Sequence, residues 1–402
     1  MNEIYETEIE RIVPGGLGLC HVDGRTIFVS QAATGDRVRI QIDRQRGRIG
    51  FGSIVDVLAP SPDRMAPPCP VYGECGGCDM QHLTYEAQLA VKFDILRDCL
   101  RRIGGIEPPD EVTIVPSPSP WHYRSRADWR YDPGQPAIGY RERQSHRVVN
   151  VPTCPILVPN LDRTLAALQE RCASEALPAM LPAISATAGD RQVAIAPRSL
   201  LGAPAAGEVT VTVAGEMYCF GPECFFQVNH AILPAMLSDV LRHSPTLVES
   251  KDEDLALDLY CGVGLFTVPL ARRFGRVIGV ESFPSSVRYA RRNLQSAKVD
   301  RVTVVAADVQ AWLAASGVNL GPVALVVLDP PRSGLTPGVV SSLAALRPTR
   351  MVYVSCDPAT LARDLRAILA VPGFHLREVT AYDMFPQTHH VETVAHLAYD
   401  TD

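Results

Sequence analysis

Apolar and polar residues alternate in short runs over positions 1–60. IERIVPGGLGLCHV, RTIFVS, DRVRIQIDR and FGSIVDVLAP each show the period-two pattern of a half-buried strand, with turn residues between them. Short strands at this density predict a small OB-like β-barrel. A proline-rich stretch, SPDRMAPP, then breaks the pattern at 61–68. Leu89, Phe93, Leu96, Leu100 and Ile103 recur at intervals of four and three. They predict an amphipathic helix over 84–104, ended by Gly104-Gly105 and packed on the C-terminal part of the chain. Residues 110–220 mix short strands with a helix near 159–176, so 61–220 reads as a central α+β domain. From 254 onward the pattern is regular. LALDLY, RVIGVE, VTVVAAD, VALVVLD and MVYVS are apolar runs of strand length, each followed by a helical segment. The alternation predicts a doubly wound, Rossmann-like parallel sheet within a domain spanning 221–402. FHLREVTAYDMF and ETVAHLAYD follow one another closely, so the last strand is expected to run antiparallel.

The chain is therefore a multidomain α/β protein, and its 402 residues are enough for three cores. The formal net charge of -6 rules out a polycation, so any nucleic-acid contact must come from local basic patches. One such patch is the hairpin bearing Arg37, Arg39, Arg44, Arg46 and Arg48, which equally suits a charged strand edge. No apolar run reaches membrane-spanning length and no signal peptide is visible, so a cytoplasmic location is expected. Eleven cysteines in that compartment point to metal or catalytic roles rather than disulfides.

Asp258-Leu-Tyr-Cys-Gly262-Val-Gly264 ends the first strand of the regular region and opens a helix. Glycines there let the backbone approach a ligand closely. Glu281 ends the second strand, where a carboxylate can hold a ribose diol, and Asp308 ends the third, within reach of an adenine amine. After Gly264 the chain reads Leu265-Phe266-Thr267, without the third glycine of a dinucleotide fingerprint. A nucleoside cofactor lacking a pyrophosphate fits better, which indicates S-adenosylmethionine (SAM).

Three further features fall at strand ends on the same edge. Asp329-Pro-Pro-Arg332 follows the fourth strand, Ser355-Cys356-Asp357-Pro358 follows the fifth, and Glu392 lies in HHVET before the last. Cys356 reads as a nucleophile, its thiol acidified by the helix that begins near Pro358. Methylation at C5 of a pyrimidine needs such a group. Addition of a thiolate at C6 makes C5 an enolate-like nucleophile, and a base must afterwards remove the C5 proton. Glu392 is the best candidate base; His389 and His390 are weaker ones. Arg332 stands where amino-group methyltransferases carry a stacking aromatic. A cytosine-C5 enzyme would place a second cysteine in the 329–332 stretch, so uracil is the expected target.

Cys69, Cys75 and Cys78 lie in CPVYGECGGCDMQHL, and Cys154 follows in VPTCPIL. Four thiols so spaced suit either zinc or an iron–sulfur cluster. Between them, WHYRSRADWRY and GYRERQSHR interleave Trp121 and Trp129 with Arg124, Arg126, Arg130, Arg141, Arg143 and Arg147. Arginines in that setting are expected to hold RNA phosphates; the tryptophans serve equally as base stackers or as core.

CPVYGECGGCDMQHL, FFQVN, DLYCGVGLFTVPLA, LDPPRSGL, VSCDPATLARDL and FPQTHHVE, in that order, resemble the RNA uridine-C5 methyltransferases. The likeness spans essentially the whole chain. It is greatest to the 23S rRNA branch with an N-terminal TRAM domain and a [4Fe-4S] cluster. The resemblance implies a TRAM barrel over 1–60, a central RNA-binding domain over 61–220 and a class I SAM-dependent methyltransferase domain over 221–402. It implies that Cys69, Cys75, Cys78 and Cys154 ligate the cluster, with Cys356 as nucleophile and Glu392 as base. Gln227, Tyr260, Gly262, Gly264, Glu281, Asp308 and Asp329 would bind SAM. Leu265 departs from relatives that carry a polar residue there. The partner implied is RNA, 23S rRNA before the T-loop of tRNA, met by a monomer with no DNA or membrane contact. A non-catalytic RNA-binding module and a zinc-bearing small-molecule methyltransferase are the alternatives from other classes.

Overall fold

The computed structural model describes residues 4–109, 112–135, 137–174, 183–197, 200, 207–244, 254–316 and 320–400. Six strands within residues 4–59 form one sheet. Its long hairpin, Arg37–Arg46 with Ile49–Ala59, is interrupted by three register shifts. Such bulges bend a sheet, and Ile9, Cys20, Ile27, Val29, Val38 and Ile40 fill the core it surrounds. The five arginines of the hairpin are all exposed. Arg39 pairs with Asp56 at 2.7 Å, and Arg44 lies over the Phe51 ring at 4.1 Å.

A second sheet of five strands carries the middle of the chain, backed by the helix Pro159–Ser174. Trp129 is fully buried there among Leu161, Leu165, Leu168 and Ile184. It is a core residue and offers no face to a base.

The largest sheet has eight strands. Five are parallel: Val302–Ala306, Arg276–Glu281, Leu255–Leu259, Val323–Leu328 and Arg350–Ser355, in that spatial order. Glu392–Tyr399 lies antiparallel between Arg350–Ser355 and Phe374–Tyr382, as the short connection required. The order reverses beside Leu255–Leu259, which opens a crevice at the carboxyl ends of the strands.

Two segments from the middle of the sequence complete this unit. The helix Tyr85–Cys99 puts Ile95, Leu96 and Cys99 into the cluster that covers one face of the sheet. Thr113–Val115 adds the eighth strand, parallel to Phe374–Tyr382. The hairpin Val209–Val213 and Glu216–Phe220, assigned above to the central domain, packs instead with the opposite face of the large sheet. Its alternate residues Val209, Val211 and Val213 are apolar and need a cover, and the C-terminal core supplies it. Among the described residues no helix is long and apolar enough to cross a membrane.

Candidate active site

Beyond Leu259 the backbone turns through Tyr260 (φ 66), Gly262 (φ 55) and Gly264 (φ 94). Glycine tolerates such angles; an aromatic residue seldom adopts them, so Tyr260 is held by its surroundings. Glu281 braces the turn, accepting from Gly262 N at 3.0 Å and from Phe283 N at 2.6 Å. Beneath it, Asp258 accepts from the Thr267 hydroxyl at 2.5 Å, and its second oxygen is buried without a partner. Burial first, and Glu281 as a minor contributor, push the Asp258 carboxyl up to about 7. Asp308 caps the next helix by accepting from Ala311 N at 2.9 Å. Its charge reaches Tyr260, whose phenol is pushed up to about 12, by burial first and by Asp308 second.

Asp329 closes the other side of the crevice. It is partly buried, and desolvation with Asp258 pushes its carboxyl up to about 7. Gln227 donates to it at 3.4 Å, while Gln227 Oε1 is buried and unpartnered. Only the resemblance pointed to Gln227. Its local signal is a polar residue between two buried apolar ones, Phe226 and Val228. Phe226 stacks on Phe220 with ring centroids 4.4 Å apart, which fixes the segment against the hairpin.

The antiparallel pairing brings the two catalytic candidates together. Ser355 is opposite Thr393, so the residues just past them at the sheet edge, Cys356 and Glu392, face each other. Glu392 is 1% exposed and its Oε1 has no hydrogen-bond partner. Burial and Asp329 raise its carboxyl well above the usual range, and Arg332 opposes them. The thiol of Cys356 departs from expectation. Burial first, then Glu392, push it up to about 12, although Arg332 hydrogen-bonds it and lowers it. Asp357 caps the following helix, Pro358–Leu369, accepting from Thr360 N at 2.7 Å. The cation that faces the thiol is Arg332, a residue that sequence reading used only to exclude an aromatic.

Of the histidines, His389 is bound to Asp79, and burial holds His390 down at about 4. Neither displaces Glu392 as the buried carboxylate opposite the thiol.

Cys69, Cys75, Cys78 and Cys154 line a single cavity of about 110 Å³ with Tyr72, Gln81, Arg124 and Tyr140. Burial raises all four thiols, and neighbouring thiols of the set add to this in Cys75, Cys78 and Cys154. Among the described residues, no three His, Cys, Asp or Glu side chains converge as a site for a metal ion. Of the arginines of this region, Arg124, Arg126 and Arg143 are partly buried, and Arg147 is exposed. Arg124 lines the cavity, Arg143 donates to Cys78 O at 2.6 Å, Arg126 binds Cys224 O, and Arg147 pairs with Glu142.

The family model for tRNA (Uracil-5-)-methyltransferase matches residues 207–399. A protein of Alkalilimnicola ehrlichii named 23S rRNA (uracil(1939)-C(5))-methyltransferase RlmD is 34% identical over 433 residues, covering 98% of this chain and 96% of the relative. Its namesake in Methylococcus capsulatus is 33% identical with the same coverage. Among solved structures, the Pyrococcus abyssi tRNA (uracil-54, C5)-methyltransferase in complex with S-adenosyl-L-homocysteine is similar over 98% of this chain and 100% of that one, with 25% identity and a TM-score of 0.75. Identity of a third over nearly the full length establishes kinship, and the chain belongs to the SAM-dependent RNA (uracil-C5)-methyltransferases.

Proposed function

We propose that the protein methylates C5 of a specific uridine in 23S rRNA, using Cys356 as nucleophile and Glu392 as base. The observation that carries this reading is the Ser355–Thr393 register, which sets a thiol against a buried carboxylate at the sheet edge. SAM supplies the methyl group. Gln227 Oε1 and Asp258 Oδ1 are buried acceptors without partners, and they fit the donors of an amino-acid nucleoside. Gln227 and Asp329 are assigned to the methionine end, with Tyr260, Gly262, Gly264, Glu281 and Asp308 along the nucleoside. Arg332 draws the proton equilibrium of Cys356 toward thiolate as uracil enters. The thiolate adds to C6, C5 takes the methyl group, and Glu392 removes the C5 proton so that the C6–S bond breaks.

For the RNA, the higher identity to enzymes named for 23S rRNA, 34% against 25% for the tRNA enzyme of known structure, supports rRNA over tRNA. The four-cysteine cavity fits a [4Fe-4S] cluster. Its four thiols line one volume of about 110 Å³, and in a cubane each cysteine ligates a different iron. Arg124 and Arg143 then offset the negative charge of a thiolate-ligated cluster.

Cys356→Ala is expected to abolish methyl transfer while RNA binding persists, and normal turnover would sink the mechanism. Glu392→Gln should trap a denaturation-resistant RNA adduct. Mapping 5-methyluridine in rRNA and tRNA from a deletion strain decides the substrate; loss from tRNA alone would overturn the rRNA reading. Protein purified without oxygen should carry about four iron atoms per chain; stoichiometric zinc would refute the cluster.

A further inference from the structure

We propose that Asp79, the residue after Cys78, is a positioning residue for Glu392, tying the loop that ends in the base to the wall of the four-cysteine cavity. The proposal rests on the assignment of Glu392 as base and deepens it.

The segment 383–391 leads directly into Glu392. It has no regular structure of its own, and Gln387 sits at φ 69. What shapes it comes from elsewhere in the chain. Asp79 N and Met80 N both donate to Gln387 O, at 3.1 and 3.0 Å. Asp79 Oδ1 accepts from His389 N at 2.8 Å, and Asp79 Oδ2 is 2.5 Å from His389 Nδ1. One carboxylate thus holds both the backbone and the ring of a residue three positions before the base. His389 in turn lies against His390, with ring centroids 4.2 Å apart.

Other contacts fix the rest of the segment. Gln88 and Gln387 exchange two hydrogen bonds, from Gln88 Nε2 to Gln387 Oε1 at 3.0 Å and from Gln387 N to Gln88 Oε1 at 2.9 Å. Tyr123 OH donates to Pro386 O at 2.8 Å, and Lys92 donates to Phe385 O at 2.9 Å. A Cβ on Gly16 of the N-terminal sheet would come within 3.2 Å of Asp79 and 3.3 Å of His389, so three parts of the protein meet at this pair.

Asp79 differs from the other supports in its neighbour. Its backbone continues from Cys78, whose thiol lines the cavity and whose carbonyl is held by Arg143. A filled cavity fixes Cys78, Cys78 fixes Asp79, and Asp79 fixes the approach to Glu392. The step that depends on this is the last one. The Glu392 carboxylate takes the proton from C5 of the methylated adduct, the C5–H electron pair re-forms the C5–C6 double bond, and the C6–S bond breaks to return the Cys356 thiolate. Addition and methyl transfer precede it and do not use the base.

The test follows both steps in a single turnover of the full-length, cluster-loaded enzyme. In vitro transcribed 23S rRNA labelled with [5-³H]uridine is mixed with SAM carrying a ¹⁴C methyl group. In Asp79→Ala, ¹⁴C should enter RNA at the wild-type rate while ³H release slows roughly 10- to 100-fold, the cost of a displaced base. A denaturation-resistant adduct should accumulate with iron content unchanged. Asp79→Asn, which keeps the shape and loses the charged acceptor for His389 Nδ1, carries the same readout if the alanine variant does not fold. Equal slowing of both labels, or of neither, overturns the proposal. Glu392→Gln run in parallel separates the two levels. If it shows no block of ³H release, the base assignment falls and this proposal with it. If it shows the block and the Asp79 variants do not, only the positioning role falls.

Discussion

Gln227 Nε2 donates to Asp329 Oδ2 at 3.4 Å across the mouth of the crevice, leaving Gln227 Oε1 buried with no partner. A buried acceptor left open beside a carboxylate is costly unless a ligand donates to it. Gln227→Ala should therefore weaken S-adenosylhomocysteine about 10- to 100-fold, the worth of one hydrogen bond to a charged group. Titration calorimetry measures this directly, and unchanged affinity would remove Gln227 from the cofactor site.

Cys356 should be slow toward iodoacetamide at neutral pH. Its thiol is pushed up to about 12, and only the thiolate reacts. The rate should climb as pH rises toward that value. Arg332 lowers the thiol's pKa, so Arg332→Ala should raise it, leave less thiolate at any given pH and slow alkylation further. Mass mapping of the Cys356 peptide at pH 7 and 9 tests both claims; faster alkylation in the variant would reverse the role of Arg332.

Asp258 is buried and its carboxyl is pushed from 3.8 up to about 7. A carboxyl raised on folding contributes stability below its unfolded value, and that contribution is lost as pH rises through the folded one. Asp258→Asn removes the titration while keeping an oxygen for Thr267. The variant should gain on the wild type by about 2–3 kcal/mol between pH 5 and 8. Urea denaturation at the two pH values reads this difference, and a constant gap would contradict it.

Lys92 and Asp383 form an ion pair in which both side chains are fully buried. Lys92 anchors the helix Tyr85–Cys99 to the segment before Glu392. Lys92→Met should cost about 3–5 kcal/mol, because it leaves a buried carboxylate uncompensated. Adding Asp383→Asn should recover part of that loss. Denaturant titration of the single and double variants gives the coupling, and additive effects would show that the pair does not act as a unit.

The strands and helices of the C-terminal region were legible because each buries one face or both, and burial writes its period into the residues. The strand Thr113–Val115 was not: three residues carry no period, and Phe374–Tyr382, far along the chain, supplies its partner. Trp129 and the arginines at 124, 126, 143 and 147 were ambiguous for a related reason. An arginine that lines a cavity and one that meets solvent look alike in sequence, and only packing directs Arg124 and Arg143 to the cysteines.

From its residues alone, this chain offered candidates for a cysteine nucleophile, a carboxylate base and a nucleoside pocket, because motifs at strand ends are local and the carboxyl edge of a parallel sheet is common to them all. Tertiary structure alone decided how those parts act on one another. The Ser355–Thr393 register faces Cys356 with Glu392, Arg332 turns to the thiol, and burial raises the thiol where helix position suggested the reverse. Desolvation and cross-strand pairing are sums over neighbours from the whole chain, and no single stretch of sequence contains them.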